Sequence, residues 1–524
     1  MTVITVTIDN QKIQIPAGTT ILEAAERLGI YIPTMCFAKG YKPSTSCMVC
    51  VVKVEGVKSL VPACGTQVAE SMVVTTTSDE IQKARKTAIE LLLSDHVGDC
   101  VGPCVRACPA NMNIPLMIRQ IAAGNFKDAI CTVKKDIPFP AVLGRICTAP
   151  CEKVCRREQI DEALSICLLK RFVADLDLES KEPYQPACRQ TTGKKAAIVG
   201  AGPCGLSATY YLKQAGIDCV LFDCHEKPGG SLYYGDIDSH LLPLNVVEKE
   251  IAQIMKLGIE FRGNICIGRD MSMAQLQKQF DVILLAVGDL NGEMSDLFDV
   301  EIKDNKIKVV HPEYAASRWN IFAAGACIGS KNLMIRAVAD GKEAADAIQS
   351  RLLNHSTGLK KRYNHQTGRL REQEIEFFLK QTVGGRRIVP KSPLDGFDRA
   401  EAKSESLRCL HCDCRKSENC KLRDLATDFG ARRNQWQSQR KLFEQIIGHN
   451  KVVFEPGKCI KCGLCIQVAK RAGEQIGLSF EGRGFEMEVV VPLEKSLEEG
   501  LQKAAVQCVN ICPTGALSLN ALIE

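Results

Sequence analysis

The segment Lys195-Ala-Ala-Ile-Val199-Gly200-Ala-Gly202-Pro-Cys-Gly205 decides the fold of the middle of this chain. Its first five residues read as a short buried strand of a parallel sheet, apolar on both faces. The glycines that follow permit a tight turn and let a pyrophosphate approach backbone N–H groups at the start of a helix expected over 206–215. A second strand, at 219–222, ends in Asp223, about 20 residues past the glycines, where an acid can hold a ribose hydroxyl. A glycine fingerprint alone is a weak signal. Placed between a strand and a helix and followed by its acid, it predicts a Rossmann-like nucleotide-binding domain over 191–352.

On either side of that domain cysteine dominates: 27 in 524 residues, against 2 tryptophans and 8 histidines. The length suggests three or four domains at roughly 150 residues each. A 45% hydrophobic and 24% charged composition excludes a disordered or collagen-like chain. No apolar run reaches the roughly 18 residues that span a bilayer, so no membrane span is expected. Residues 1–15 alternate polar and apolar positions like a strand, without the charged-then-apolar order of a secretory signal. A cytoplasmic location is therefore expected, where thiols stay reduced and tight cysteine groups point to metal, not disulfides. The net charge of +6 is dispersed, and no nucleic-acid partner is expected.

The first cysteine group follows two alternating segments, 2–7 and 11–15, joined by the turn residues Asp9 and Asn10. A helix is expected over 20–28, with Thr20 as N-cap and Gly29 as stop. Cys36, Cys47, Cys50 and Cys64 then read C-x10-C-x2-C-x13-C. Three loop thiolates and a distant fourth suit a [2Fe–2S] cluster, whose two irons each need two sulfur ligands; a zinc knuckle is the alternative. The segment resembles the N-terminal ferredoxin-like domain of the large iron–sulfur subunit of respiratory complex I. Related domains occur in soluble NAD-linked hydrogenases and formate dehydrogenases.

An amphipathic helix over 81–94 leads into His96-Val-Gly-Asp-Cys100. In the complex I relatives, a histidine three residues before a cysteine ligates a [4Fe–4S] cluster. The continuation departs from them: Cys100-x3-Cys104-x3-Cys108-Pro109, Asn113-Ile-Pro115, Gly144-Arg-Ile-Cys147, Cys151-Glu152, Cys155 and Lys170-Arg-Phe172. These resemble the N-terminal domain of glutamate synthase small subunits, shared with dihydropyrimidine dehydrogenase and the ferredoxin:NADP transhydrogenase flavoprotein. That resemblance implies two [4Fe–4S] clusters, one on Cys100, Cys104 and Cys155, the other on Cys108, Cys147 and Cys151. His96 would complete the first. For the second the family uses a polar side chain where this chain has Lys170, and an ammonium cannot ligate iron. Cys167, three residues earlier on the same helical face, would take its place. The bland alternatives are an ordinary exposed histidine and a buried packing cysteine.

The same family implies FAD over the glycine fingerprint, at Gly200, Gly202, Gly205 and Asp223. Further elements match at Pro228-Gly229-Gly230-Ser-Leu232, at Ala286-Val-Gly288, and at Ile321-Phe-Ala-Ala-Gly325 followed by Ala337, Gly341 and Ala344. Ala326 stands where the family has an aspartate against the flavin side chain. Members with a nicotinamide domain insert a second glycine-rich βαβ unit between the flavin halves. Here only 32 residues separate Gly288 from Ile321, about the length of a single βαβ unit, and none forms a second fingerprint. The chain is not expected to bind NAD(P)H by itself.

Beyond a polar, basic connector, Cys409, Cys412, Cys414 and Cys420 lie within twelve residues. That proximity suits one [4Fe–4S] cube, with structural zinc as the alternative. Cys459-Ile-Lys-Cys462-Gly-Leu-Cys465 and Cys512-Pro513 follow the bacterial ferredoxin pattern. Ala469 replaces the cysteine that would serve a second cube, so one cube is expected on Cys459, Cys462, Cys465 and Cys512, with Cys508 left over and buried. Residues 478–485 again resemble the complex I and formate dehydrogenase relatives.

The expected architecture is multidomain, α+β and α/β. It comprises a β-grasp [2Fe–2S] ferredoxin-like domain (1–78), a helical domain with two [4Fe–4S] clusters (79–190) and a Rossmann-like FAD domain without NAD(P) insertion (191–352). A connector (353–400), a four-cysteine [4Fe–4S] motif (401–450) and a ferredoxin-like [4Fe–4S] domain (451–524) follow. One FAD, one [2Fe–2S] and four [4Fe–4S] clusters make an electron wire with a flavin junction. The function expected is an electron-transfer subunit of a multi-subunit, anaerobic redox complex, possible electron bifurcation included. Its partners would be a flavin- and NAD-binding subunit and a catalytic subunit of hydrogenase or formate dehydrogenase type, or ferredoxin. A self-sufficient flavin oxidoreductase acting on a small substrate is the competing reading, and a zinc-bound scaffold a third.

Overall fold

The computed structural model describes residues 2–290, 297–316, 320–330, 333–353, 362–380, 382–436 and 441–520. Part of the expected connector, 354–361, lies outside the described residues. The chain forms two compact units, each discontinuous in sequence. The first comprises Met1–Gly102, Lys360–Gln381 and His411–Glu524; the second comprises Pro103–Leu359 and Thr382–Leu410.

In the first unit, Val3–Ile8 and Gln11–Pro16 pair antiparallel through a two-residue turn. Asp9 and Asn10 both take positive φ there (44° and 68°), which matches the twist of the flanking strands. Val73–Thr75 pairs parallel to the first strand and antiparallel to Val51–Val54, and Val61–Pro62 closes a five-stranded mixed sheet. Thr20 and Glu23 form a reciprocal capping box at the start of helix Ile21–Arg27, at 3.2 and 2.9 Å. Ile21, Ala24 and Ala25 of that helix bury against Val6, Ile8, Ile15 and Val52 of the sheet.

Helix Asp79–Ser94 is fixed to the sheet by buried Arg85, which donates to the Val51 carbonyl at 2.9 Å. Its Ile89 and Leu93 share a core with Met35 and Val49 and, from the far end of the chain, Leu422, Leu425 and Leu464. The expected connector contains a helix, Glu372–Leu379. Few apolar residues mark it because its anchorage is partly polar. The buried Glu374 carboxylate accepts from Arg371 N and Phe443 N, both at 2.8 Å, while Phe378 stacks on Phe443 with ring centroids 4.4 Å apart.

The second unit opens with helix Pro103–Ala107, followed by Ile114–Ala122, Phe126–Lys134, Pro140–Ile146 and Ile166–Glu179. A five-stranded parallel sheet follows, ordered Ile321–Ala323, Val282–Leu285, Lys195–Val199, Asp218–Phe222, Glu260–Arg262. Helices Pro203–Gln214 and Met334–Leu353 pack so closely that a Cβ on Gly341 would stand 2.2 Å from the Cys204 carbonyl oxygen. Glu250, on helix Leu244–Met255, caps Pro140–Ile146 by accepting from Ala141 N (3.0 Å) and Val142 N (2.8 Å). Burial nevertheless pushes its carboxyl up to about 8. Among the described residues no helix is long and apolar enough to cross a membrane.

Candidate metal centres and nucleotide site

The loop around the first sheet brings Cys36, Cys47, Cys50 and Cys64 together, all almost fully buried. Cys50 and Cys64 Sγ are 3.4 Å apart. Hydrogen bonds from Cys47 and Cys64 lower the Cys36 thiol and raise their own. Four buried thiols linked in this way fit a [2Fe–2S] cluster.

Cys459, Cys462, Cys465 and Cys512 line one small cavity with Pro513 and Thr514. Gly463 takes φ +70° at the start of helix Leu464–Arg471, turning the cysteine loop into the helix. Cys508 is fully buried, donates to the Cys465 carbonyl at 3.5 Å, and is pushed up to about 12 by burial. Ala469 is fully buried in the same core.

Within the first unit, Cys100 lies beside Cys414 and Cys420. Cys414 N donates to the Cys100 carbonyl at 3.4 Å. Burial, then the charges of Cys414 and Cys100, push Cys420 up to about 12. His365, from the expected connector, donates its N–H to Cys100 Sγ at 3.3 Å and accepts from Cys100 N at 3.1 Å. His96 sits edge-on to His365, with centroids 5.2 Å apart, and its buried Nδ1 has no hydrogen-bond partner among the described residues. Burial, with His365 and Lys458 nearby, holds the His96 imidazole neutral. An imidazole nitrogen and three thiols are a donor set that suits a [4Fe–4S] cluster. His365 carried no signal in a segment read as connector.

These groups adjoin. Cys36, Cys47, Cys420 and Cys462 belong to one core. A Cβ on Gly515, in the loop after Cys512, would stand 2.3 Å from Cys414 Sγ. Lys416 Nζ binds the Cys512 and Val509 carbonyls at 2.7 and 2.8 Å.

In the second unit, the thiol of Cys167 hydrogen-bonds with those of Cys147 and Cys151, and buried Cys108 feels the charge of Cys147. Cys167 N donates to Glu152 Oε1 at 2.8 Å, and Arg387 Nη2 holds Glu152 Oε2 at 2.6 Å. The backbone at Cys167 is thus tied to the residue after Cys151. Four convergent thiols again fit a cube. Lys170 lies beside them, its Nζ 4.0 Å from Cys167 Sγ.

The residues of the remaining expected ligand sets belong to both units. His96 and Cys100 fall in the first unit, Cys104 and Cys155 in the second; Cys409 falls in the second, Cys412, Cys414 and Cys420 in the first. Helix Pro103–Ala107, bearing Cys104, packs on the turn Glu152–Val154 that precedes Cys155. Fully buried Arg157 donates to the Arg408 carbonyl at 3.0 Å, anchoring the residue before Cys409 two positions from Cys155.

The parallel sheet carries a cavity of about 630 Å³, lined among others by Gly200, Gly202, Asp223, Gly230, Gly288 and Ala326, a size suited to a nucleotide cofactor. Asp223 accepts from Ala201 N at 2.7 Å and from His225 N at 2.9 Å. Gly205 allows helix and strand to meet: a Cβ there would lie 1.9 Å from Gly200 O. Gly230, at φ +51°, lets its backbone face Gly202, whose Cα would be 2.6 Å from an added Cβ. Gly205, Gly229, Leu232 and Gly325 stand behind the lining, while Cys224, His225, Cys266 and Arg269 border the cavity near Asp223.

Buried thiol groups and a glycine-lined cleft on a parallel sheet define an iron–sulfur protein with a nucleotide-binding domain. Family models match at residues 1–79 (2Fe-2S iron-sulfur cluster binding domain), 71–182 (dihydropyrimidine dehydrogenase domain II, 4Fe-4S cluster) and 198–250 (NAD(P)-binding Rossmann-like domain). The chain is 37% identical over 207 residues to the NADP(+)-dependent formate dehydrogenase subunit beta of Moorella thermoacetica, covering 36% of this chain and 29% of that one. It is 37% identical over 206 residues to the NAD-dependent dihydropyrimidine dehydrogenase subunit PreT of Escherichia coli K12 (38% and 49% covered). It is 30% identical over 262 residues to the glutamate synthase [NADPH] small chain of Bacillus subtilis (49% and 52% covered). Each match spans about half of its relative or less.

Proposed function

We propose that this chain is an electron-transfer subunit of a multi-subunit oxidoreductase, with one [2Fe–2S] cluster, four [4Fe–4S] clusters and one FAD. The observation that carries this is the adjoining of three cysteine groups around shared core in the first unit, since electrons hop only between neighbouring centres. When bound, the clusters carry single electrons and the flavin exchanges pairs for singles.

Cys36, Cys47, Cys50 and Cys64 would hold the [2Fe–2S] cluster, and Cys459, Cys462, Cys465 and Cys512 a cube. His96, Cys100, Cys414 and Cys420 are the better-supported set for a second cube, in place of the contiguous group at 409–420. Cys108, Cys147, Cys151 and Cys167 would hold a third. Cys104, Cys155 and Cys409 are the donors the second unit offers to the fourth. The glycine backbones of residues 200–205 and 230 would receive a pyrophosphate, and Asp223 a ribose.

Relatives named as formate dehydrogenase and PreT subunits support a partner subunit that handles substrate. The test is anaerobic purification, iron quantification and chromatography of the released nucleotide. About 18 irons and one FAD per chain are expected. Roughly half that iron would refute the ligand sets, and NAD(P) released in place of FAD would refute the flavin. Rapid NAD(P)H oxidation by the isolated chain would defeat the subunit reading.

A further inference from the structure

Among the described residues, the buried lysines are paired with carboxylates, with one exception. Lys134 binds Asp177 at 2.6 Å, and Lys458 binds Glu455. Lys170 is equally buried, 4% exposed, on helix Ile166–Glu179, and no carboxylate pairs with it among the described residues. Its Nζ points at Cys167 Sγ, 4.0 Å away. An ammonium taken out of water without a counter-charge is strongly disfavoured. The cysteines of the neighbouring group, Cys167, Cys147, Cys108 and Cys151, surround it and supply negative charge as thiolates.

We propose that Lys170 is a positioning residue: a fixed cation beside the [4Fe–4S] cluster of Cys108, Cys147, Cys151 and Cys167 that raises the cluster's reduction potential. The inference rests on the ligand reading given above. A cube held by four thiolates is an anion in both oxidation states. Reduction adds one electron and hence one further negative charge; no bond forms or breaks, and no proton is taken up because the ammonium already carries it. A cation in contact with a ligand sulfur attracts the more negative state more strongly and so favours reduction. Cys167 and Lys170 are one helical turn apart on the same face, so a single element supplies both a ligand and the charge that tunes it. Lys458, near Cys414, is by contrast paired with Glu455.

The test is a mediator-equilibrated, anaerobic redox titration of the full chain, followed by low-temperature electron paramagnetic resonance, on wild type, Lys170→Met and Lys170→Arg. In Lys170→Met one [4Fe–4S] component is expected to shift to lower potential. At the wild-type midpoint its reduced-to-oxidised ratio should fall at least about tenfold, given a unit charge removed at contact distance in a low-dielectric interior. Lys170→Arg should stay close to wild type. Unchanged potentials in Lys170→Met at full iron content would overturn the proposal, as would an equal shift in Lys170→Arg. Loss of about four irons per chain in Lys170→Met would overturn the proposal, because Lys170 would then hold the cluster and not tune its potential. Cys147→Ser tests the ligand reading separately: if its iron content and spectrum match wild type, no cluster sits on these cysteines, and it is that reading that fails.

Discussion

Glu250 offers the most direct handle on how the nucleotide domain supports a metal centre. Its carboxylate caps Pro140–Ile146, the helix that ends at Cys147, and burial raises its pKa from 4.5 to about 8. A carboxyl whose pKa is higher folded than unfolded holds its proton more tightly in the folded state. Its contribution to stability is therefore fullest below 4.5 and is lost progressively as the pH rises through 8. The shift corresponds to about 5 kcal/mol across that window, or a fall of about 10 °C in the unfolding midpoint of a domain this size. Glu250→Gln keeps one acceptor for the helix N-terminus and removes the titration. The assay is thermal unfolding by circular dichroism at half-unit pH steps from 4.5 to 8.5, under anaerobic conditions. Wild type should lose midpoint temperature relative to Glu250→Gln as the pH rises, and the two should run parallel above about 8. Parallel curves across the whole range would refute the reasoning, because the carboxyl would then titrate alike folded and unfolded.

The regrouping of the cysteines is tested by iron counts: Cys409→Ser and Cys414→Ser combined should remove about eight irons per chain, and a loss of about four would return all of residues 409–420 to one cube. Cys50→Ser should abolish the [2Fe–2S] signal and spare the [4Fe–4S] signals, read by electron paramagnetic resonance. Gly205→Ala places a Cβ 1.9 Å from Gly200 O, and should leave nucleotide content near zero by chromatography while iron stays at its wild-type level.

What was legible in the sequence is what neighbours in the sequence decide. The hairpin at Asp9 and Asn10, the Thr20 cap, the Gly200–Gly205 turn and the Cys459–Cys465 loop each depend on a few consecutive residues with a conformational or donor requirement, and each has its expected form. Grouping of ligands across long separations obeys a different rule. The resemblance implies Cys100 with Cys104, and closeness along the chain suits Cys409 with Cys414; the two members of each pair belong to different compact units, divided after Gly102 and after Leu410. Cys100 also meets Cys414, over three hundred residues away, through a backbone hydrogen bond that no local pattern announces. His365 and Glu374 were hidden for a related reason: each acts as a polar anchor in a segment whose composition is that of a linker, and polar anchorage leaves no hydrophobic period to read. Lys170 is the intermediate case. Its identity excluded it as a ligand, but only its depth and the lack of a pairing carboxylate among the described residues turn that exclusion into the proposed role, because the charge of a lysine in water at the same helical position would be screened from the cluster.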